Sequence, residues 1–567
     1  MNKSFKDDVS IVICGEAGQG VQTIEKLLIG VFKGASLHVF ATKEYMSRVR
    51  GGSNSTEIRV SSLGKRSYLK RIDLLVALDK DALGHLADRI TAETVIIGEK
   101  EILQADREII DVPLSKIAAE EGSGIFANTA AAGFVLSLFR INRELLSGFI
   151  NGLFAAKGPE IAAKNISAAG KGYDIGTRLL SEGGIEINVR ADAAVKDHII
   201  LSGAEAVALG AAAGGCDFVS AYPMTPSTGI LTYLSKHSGD LGIITEQAED
   251  EISAVNMVLG AWYAGSRGLV ITAGGGFALM VEALSLSGML ESPLVLSVGQ
   301  RPAPATGLPT RTEQGDLENV LYSGHGEFPR IILSPGTVEE AFYLSQKAFD
   351  LADRYQVPVI ILSDQYLADC YHDLASPDPA ALPVTKYVVK TDKGYRRYSF
   401  TVNSDGVSPR GIPGNGEGLI CADSDEHDEE GHITESAPVR KKMVDKRLSK
   451  LEFLKREVIP PDLYGPADYE TLIVGWGSTF GAIKEALDAA GRKDTAYLHF
   501  KQVYPLHPST GGYLKKAKRT VIVENNATSQ FGRLIKMYTG LDIDRRILKY
   551  DGSPFSVEEL TEEFKKL

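Results

Sequence analysis

Cysteine is scarce in this chain of 567 residues. The four present, Cys14, Cys216, Cys370 and Cys421, are scattered and form no CxxC pair. That excludes a disulfide scaffold, and a four-cysteine iron–sulfur or zinc site carried by this chain alone. Each is expected to behave as a small buried apolar residue. No uninterrupted apolar run reaches about 18 residues, the length a membrane-crossing helix needs. The start, "MNKSFKDDVSIVICGEAG", has no signal-peptide pattern. Basic residues are also in deficit: 61 Lys and Arg face 73 Asp and Glu, a formal net charge of −12. Such a balance argues against a nucleic-acid or anionic-membrane surface. A soluble cytoplasmic protein with no nucleic-acid or membrane partner is expected.

What is present is ordinary globular composition, 44% hydrophobic and 24% charged, with 58 glycines. The length suits about three or four domains at roughly 100–200 residues each. Short β-rich runs alternate with helical spacers, which predicts an α/β, multidomain chain with parallel, helix-covered sheets. Residues 1–185 form one such unit, opened by "VSIVICGEAGQGVQTIEKLLIGVFKGA", and residues 181–203 read as a linker. Residues 198–385 form a second, with strands in "DFVSAY", "GIITE", "GLVITAG", "LVLSVG", "RIILSP" and "VPVIILSD". Residues 386–465 break the rhythm with polar, Gly- and Pro-rich segments and the charged helix "PVRKKMVDKRLSKLEFLKRE". Residues 466–567 close the chain as a third α/β unit.

Several motifs follow strand ends, where open α/β sheets bind ligands. In "SAYPMTPSTGI" (220–230), Pro223 and Pro226 force a turn and present Thr225, Ser227 and Thr228. Capping of the next helix is the simplest use of these hydroxyls; a ligand is the other. "GEAGQG", Gly15 to Gly20, suits a phosphate at a helix N-terminus, although its GxxGxG spacing is not a dinucleotide fingerprint. "RVRGGSNST" (48–56), with Arg50, Gly51, Gly52 and Ser53, could serve the same anion, or be an exposed basic loop. "TEQAEDEISAVNMVLGAWYAG" offers four carboxylates, most of them suited to a helix N-terminus. One carboxylate facing inward is the sharper alternative, and Glu251 directly abuts the apolar stripe Ile252, Val255 and Leu259. Arg301 follows another strand and could bind a substrate carboxylate bidentately. "TAGGGFALM" (272–280) is a further glycine turn. "DSDEHDEEGH" (423–432) reads as an acidic solvated loop rather than a metal site; no metal ligands are assigned to this chain.

Taken in order, "GEAGQGVQT", "RGGSN", "YPMTPST", "EDEISAVNMVLGAWYAG", "TAGGGFALM", "QRPAPATGLPT" and "QGDL" resemble the 2-oxoacid:ferredoxin oxidoreductases. With the C-terminal "GWGS" and "VENN" they cover nearly the whole chain. The pattern is similar to an α subunit with a γ domain fused at its N-terminus. The resemblance implies a thiamine-diphosphate pyrimidine-binding fold for the central unit and a transketolase C-terminal-like domain after it. It also implies an oxidoreductase: a 2-oxoacid is decarboxylated and oxidised, the acyl group passes to coenzyme A, and electrons leave for ferredoxin through iron–sulfur clusters. By position, Glu251 matches the glutamate that activates the cofactor. Thr225, Arg301, Tyr222 and Thr310 match substrate contacts, and Pro223, Gly275 and Gly276 cofactor contacts. Gly15, Gly18, Gln19, Gly20, Arg50, Gly51, Gly52 and Ser53 are candidates for coenzyme A phosphates. The family's Gly-Asp-Gly element with its downstream asparagine, which holds Mg²⁺ and the diphosphate, is missing here. Mg²⁺ and the [4Fe-4S] clusters are therefore expected on a β subunit, in an (αβ)2 hetero-oligomer active only as the complex. Met224 and the fused γ domain resemble 2-oxoglutarate enzymes (2-oxoglutarate synthases) more than pyruvate or branched-chain and aryl ones. A non-catalytic nucleotide-binding or electron-transfer subunit is the alternative of a different class.

Overall fold

A computed structural model describes residues 3–16, 20–46, 52–400 and 405–567. The chain divides into two compact units. The first comprises Met1–Leu201 with Cys370–Ser376 and Ser556–Glu559, the second the remainder.

The first unit is built on an eight-stranded sheet. Its centre is the strand Asp8–Glu16, "DVSIVICGE", buried on both faces as a β-branched run in mid-sheet should be. Leu74–Ala77, Val95–Gly98 and Ile109–Asp111 extend from it in parallel. On the other side Ser53–Ser61 and His38–Glu44 pair antiparallel. Two helices on the sheet, Ala127–Leu138 and Pro159–Ser181, pack closely because glycines meet backbone. A Cβ on Gly133 would strike the carbonyl of Ala169, and one on Gly172 that of Ala130.

Two expectations need correction here. The segment beginning at Ser53 is a nine-residue strand, "SNSTEIRVS", not an exposed loop. Its polar residues disguise it, yet they are buried and satisfied. Arg59 donates to Asp8 at 2.8 Å and to the Ser67 carbonyl at 2.9 Å, and Glu57 pairs with Arg89 at 2.5 Å. Nor are residues 181–203 a plain linker. Ile185–Asn188 pairs in parallel with Lys3–Lys6, burying Ile185 and Ile187 and exposing Glu186 and Asn188, the period of a half-buried strand. His198–Ser202 then forms the edge of the large sheet, next to Tyr371–Ala375.

The second unit carries the expected parallel sheet. Its order is Ile244–Gln247, Phe218–Ala221, Gly268–Ala273, Leu294–Gln300, Pro358–Asp364 and Ile331–Leu333, with Gln502–Tyr504 added antiparallel. The first four strands are neighbours, all point the same way, and are followed by the carboxylate-rich helix start, the proline elbow, the glycine turn and Arg301. One rim of one sheet therefore gathers those four motifs. A five-stranded sheet, Asp462–Tyr464, Thr495–Phe500, Thr471–Trp476, Arg519–Glu524 and Arg545–Leu548, forms the C-terminal part. The polar 386–435 region has few regular elements but is anchored by buried ions. Arg410 and Arg267 both pair with the buried Asp353. The charged helix Ala437–Leu454 sends Lys446 and Lys450 inward to the buried Glu291, each at 2.6 Å. Burial raises the Glu291 pKa, but the two ammoniums outweigh it and hold the carboxyl far below the usual range. Among the described residues no helix is long and apolar enough to cross a membrane.

Candidate cofactor and substrate site

The strand Phe218–Ala221 ends in the proline elbow. Tyr222 is 41% exposed, and Pro223, Met224 and Thr225 are half-buried. The helix Thr228–Lys236 that follows has no side-chain cap. The Ser227 hydroxyl instead donates to the Thr272 carbonyl at 2.7 Å, tying the elbow to the adjacent strand end. The elbow also lies on Gly299: a Cβ there would meet Ser227 Oγ and the Pro226 ring. Capping is thus not what these hydroxyls do. The Thr225 hydroxyl makes no hydrogen bond among the described residues, while its carbonyl accepts one from Arg301 Nη1 at 2.7 Å.

Arg301 is half-buried just past Leu294–Gln300, and its remaining donors have no partner among the described residues. Burial lowers its pKa, and the nearby Asp316 opposes that shift. The structure therefore brings Thr225 and Arg301 together. Thr310 lies half-buried in the same 301–316 loop, and no hydrogen bond joins it to either.

Helix Glu251–Tyr263 divides its acids cleanly. Asp250 is the cap, accepting from the Ser253 amide at 2.7 Å, and Glu246 and Glu249 are exposed. Glu251 is 4% exposed, and its Oε1 is buried with no hydrogen-bond partner. The apolar stripe beside it is Val255 and Leu259; Ile252 is 51% exposed and does not join it. Successive helical residues are 100° apart, so the neighbour of an inward residue turns away. The helix Gly274–Leu279 faces Glu251: a Cβ on Gly276 would stand 2.8 Å from Oε1. Gly275, next in the chain to Gly276, is exposed. A buried carboxyl left unpartnered is costly. A ring nitrogen brought against this glycine cradle would supply the missing partner, so the residues present fit a pyrimidine.

Sequence reasoning quoted "QGDL" but missed what it does. Gln314 Nε2 donates to the Trp476 carbonyl at 2.9 Å, and its Oε1 accepts from the Asn525 amide at 3.0 Å. Asn526 Nδ2 donates to the Gln314 carbonyl at 3.1 Å. "GWGS" and "VENN" thus latch the loop that carries Arg301 and Thr310. Asp316 is 7% exposed with its carboxylate against Gly274, and burial pushes its pKa up to about 6 against the pull of Arg301.

In the first unit Gly15 stands within the Asp8–Glu16 strand, opposite Asn54, and Ser53 opens the partner strand with its side chain buried. Gly20 starts the helix Val21–Gly34 at φ 85°, and a Cβ there would meet the Asn128 amide. Gly52 has φ 83°. Gly18, Gln19, Arg50 and Gly51 lie outside the described residues. A cavity of about 530 Å³ opens at the carboxyl ends of Leu74–Ala77 and Val95–Gly98, lined among others by Leu78, Glu99, Ser115, Ile125 and Asn128.

The acidic loop is less solvated than expected. His427 is fully buried with its ring 3.9 Å from that of Tyr398, and Glu426 pairs with Arg447 at 2.9 Å. Cys14, Cys216 and Cys370 are buried, and Cys421 is half-buried. The group His38, His198 and Asp373 is drawn together by strands far apart in sequence. Both imidazole Nδ1 atoms lie at hydrogen-bond distance, 2.9 and 2.7 Å, from the same Asp373 oxygen. Ligand atoms around a tetrahedral zinc ion with bonds of about 2.0 Å would stand roughly 3.3 Å apart. This group is a hydrogen-bonded clasp on the Tyr371–Ala375 strand.

A parallel sheet whose rim presents a buried, unpartnered glutamate oxygen against a glycine turn fits a thiamine diphosphate-binding protein of the pyrimidine-binding kind. The family described as "Pyruvate flavodoxin/ferredoxin oxidoreductase, thiamine diP-bdg" matches residues 209–446, and "Pyruvate ferredoxin/flavodoxin oxidoreductase" matches residues 10–175. Two relatives are the 2-oxoacid:ferredoxin oxidoreductase α subunits of a Sulfolobus species and of Sulfurisphaera tokodaii. Each is 32% identical over 98% of this chain, and over 96% and 97% of its own length. The solved structure of the 2-oxoglutarate:ferredoxin oxidoreductase from Magnetococcus marinus, with 2-oxoglutarate, coenzyme A and succinyl-CoA bound, superposes with a TM-score of 0.91. It is 30% identical and covers 99% of both chains. The chain belongs to the 2-oxoacid:ferredoxin oxidoreductase α-subunit family.

Proposed function

We propose that this chain is the α subunit, with a γ-type N-terminal unit, of an enzyme that oxidatively decarboxylates 2-oxoglutarate. The acyl group passes to coenzyme A and the electrons to ferredoxin. The observation that carries the reading is the buried, unpartnered Oε1 of Glu251 beside Gly276. Thiamine diphosphate, when bound, supplies the electron sink for losing carbon dioxide. Glu251 holds its pyrimidine and shares a proton with the ring nitrogen through Oε1, while Pro223, Gly275 and Gly276 shape the cradle. Arg301 binds the oxoacid carboxylate with the donors left over from its bond to Thr225. The Thr225 hydroxyl, which has no protein partner among the described residues, donates to the keto oxygen, and Tyr222 and Thr310 border the rest of the substrate.

Mg²⁺, the diphosphate and the [4Fe-4S] clusters fall to a β subunit, because no Gly-Asp-Gly element and no grouped cysteines occur here. The N-terminal unit contributes to coenzyme A binding, with Gly20, Gly52 and the nearby cavity as the described candidates. The structural neighbour bound to 2-oxoglutarate supports that substrate over pyruvate; the relatives named for 2-oxoacids in general leave the choice to experiment. Co-expression with the β chain should yield a brown complex that reduces ferredoxin with 2-oxoglutarate and coenzyme A and forms succinyl-CoA. Preference for pyruvate or a branched-chain oxoacid would overturn the substrate, and turnover or stoichiometric iron in the lone chain would overturn the division of labour.

A further inference from the structure

The glycine turn at residues 274–276 is flanked by two buried carboxyls, and the proposed function uses one. Glu251 lies against Gly276, and the Asp316 carboxylate fills the space in front of Gly274, where a Cβ would collide with both its oxygens. Asp316 precedes the helix Leu317–Tyr322 in the place of a cap, yet its side chain caps nothing. Its position is fixed by the backbone: the Asp316 amide donates to Gln300 Oε1 at 3.1 Å, and Gln300 immediately precedes Arg301. Gln300 Nε2 is itself buried without a partner. No hydrogen bond reaches the Asp316 carboxylate, and no ion pair closes on Arg301, among the described residues. A carboxyl that only packed would be expected to have found one of these donors.

We infer that Asp316 is a positioning residue that sets the charge felt at Arg301, so that an oxoacid carboxylate binds there together with a proton taken up by Asp316. This deepens the reading of Arg301 as the carboxylate site and rests on it. The groups facing Asp316 are few. Arg301 is the cation, and Glu313, in the same loop, has its own pKa raised by burial and by the Asp316 charge. Glu251 lies across the glycine turn. Glu318, two residues on, is already paired with Arg533. An incoming carboxylate would add a negative charge beside that of Asp316, with only Arg301 to offset the two. Protonating Asp316, whose pKa burial has already brought to about 6, removes one.

The test compares the intact αβ complex with Asp316→Asn, a neutral isostere. Two readouts are used: the pH dependence of KM against kcat from pH 5.5 to 8, and proton uptake on 2-oxoglutarate binding, measured calorimetrically in buffers of different ionisation enthalpy. Wild-type KM should rise across that range by ~tenfold more than the variant's, the binding equivalent of a one-unit coupling between two carboxylates, with kcat changing less. Uptake at pH 7 should be about half a proton for wild type and near zero for Asp316→Asn. Parallel KM profiles with equal uptake in a complex that turns over would overturn the inference alone. A wild-type complex that neither binds nor turns over 2-oxoacids would overturn the functional reading and this inference with it. Should Asp316→Asn fail to assemble, wild-type uptake of no proton at pH 7 is by itself a refutation.

Discussion

Replacing Arg301 with alanine removes two things that the structure separates. One is the donor to the Thr225 carbonyl, at 2.7 Å, which orients the elbow. The other is the part of the guanidinium that has no protein partner among the described residues and is half-withdrawn from water. The first is a neutral carbonyl contact and should cost about 1 kcal/mol of local stability. On the proposed reading the second makes a charge-assisted bond to the substrate, worth ~1.5–3 kcal/mol, which predicts a loss of about ten- to two-hundred-fold in kcat/KM. Arg301→Lys keeps the charge but not the fork, so it should recover only part of the loss. The assay is 2-oxoacid-dependent ferredoxin reduction by the αβ complex, with kcat and KM resolved for both variants. A loss under about threefold in Arg301→Ala, below the energy of one such bond, would show that the carboxylate binds elsewhere.

Thr225→Val should reduce turnover more than Thr225→Ser, which keeps the hydroxyl; equal rates would reduce the elbow to a structural turn. Asp316→Asn should stabilise the chain at high pH. Because the folded pKa of Asp316 lies near 6, above its ordinary 3.8, the native carboxyl is worth most when protonated, and that contribution is lost as pH rises through 6. The ionised group then costs about 3 kcal/mol, so thermal unfolding should favour the variant at pH 8 and show no difference near pH 4. Glu291→Gln leaves Lys446 and Lys450 buried without their counterion and should cost ~3–5 kcal/mol, read as a fall in Tm.

Much of this was legible in the sequence for one reason. The elbow, the acidic helix start, the glycine turn and Arg301 each directly follow a short β-rich run, and parallel strands put such ends on a common rim. The inward Glu251 was legible too, although its companion Ile252 faces water. What escaped notice was polar or remote. Ser53–Ser61 reads as a loop because its buried Arg59 and Glu57 find their partners at Asp8 and Arg89. Tyr371–Ala375 reads as part of the second unit, yet Asp373 meets His38, 335 residues away, in the sheet of the first. Ala437–Leu454 reads as a charged helix, and only the fold shows that two of its lysines turn inward to Glu291. Local pattern carries strand ends and glycine turns; it does not carry which buried ions will meet.

The central claim is that Glu251 activates thiamine diphosphate through its lone oxygen. It is tested most directly by exchange of the thiazolium C2 proton for deuterium in the αβ complex carrying Glu251→Gln. An amide cannot share the proton that the carboxyl shares. Assembly and cofactor binding should persist, exchange should slow by at least about a hundredfold, at the low end of what a positioned acid–base group contributes, and Glu249→Gln should exchange like wild type. Wild-type exchange in Glu251→Gln would contradict the account.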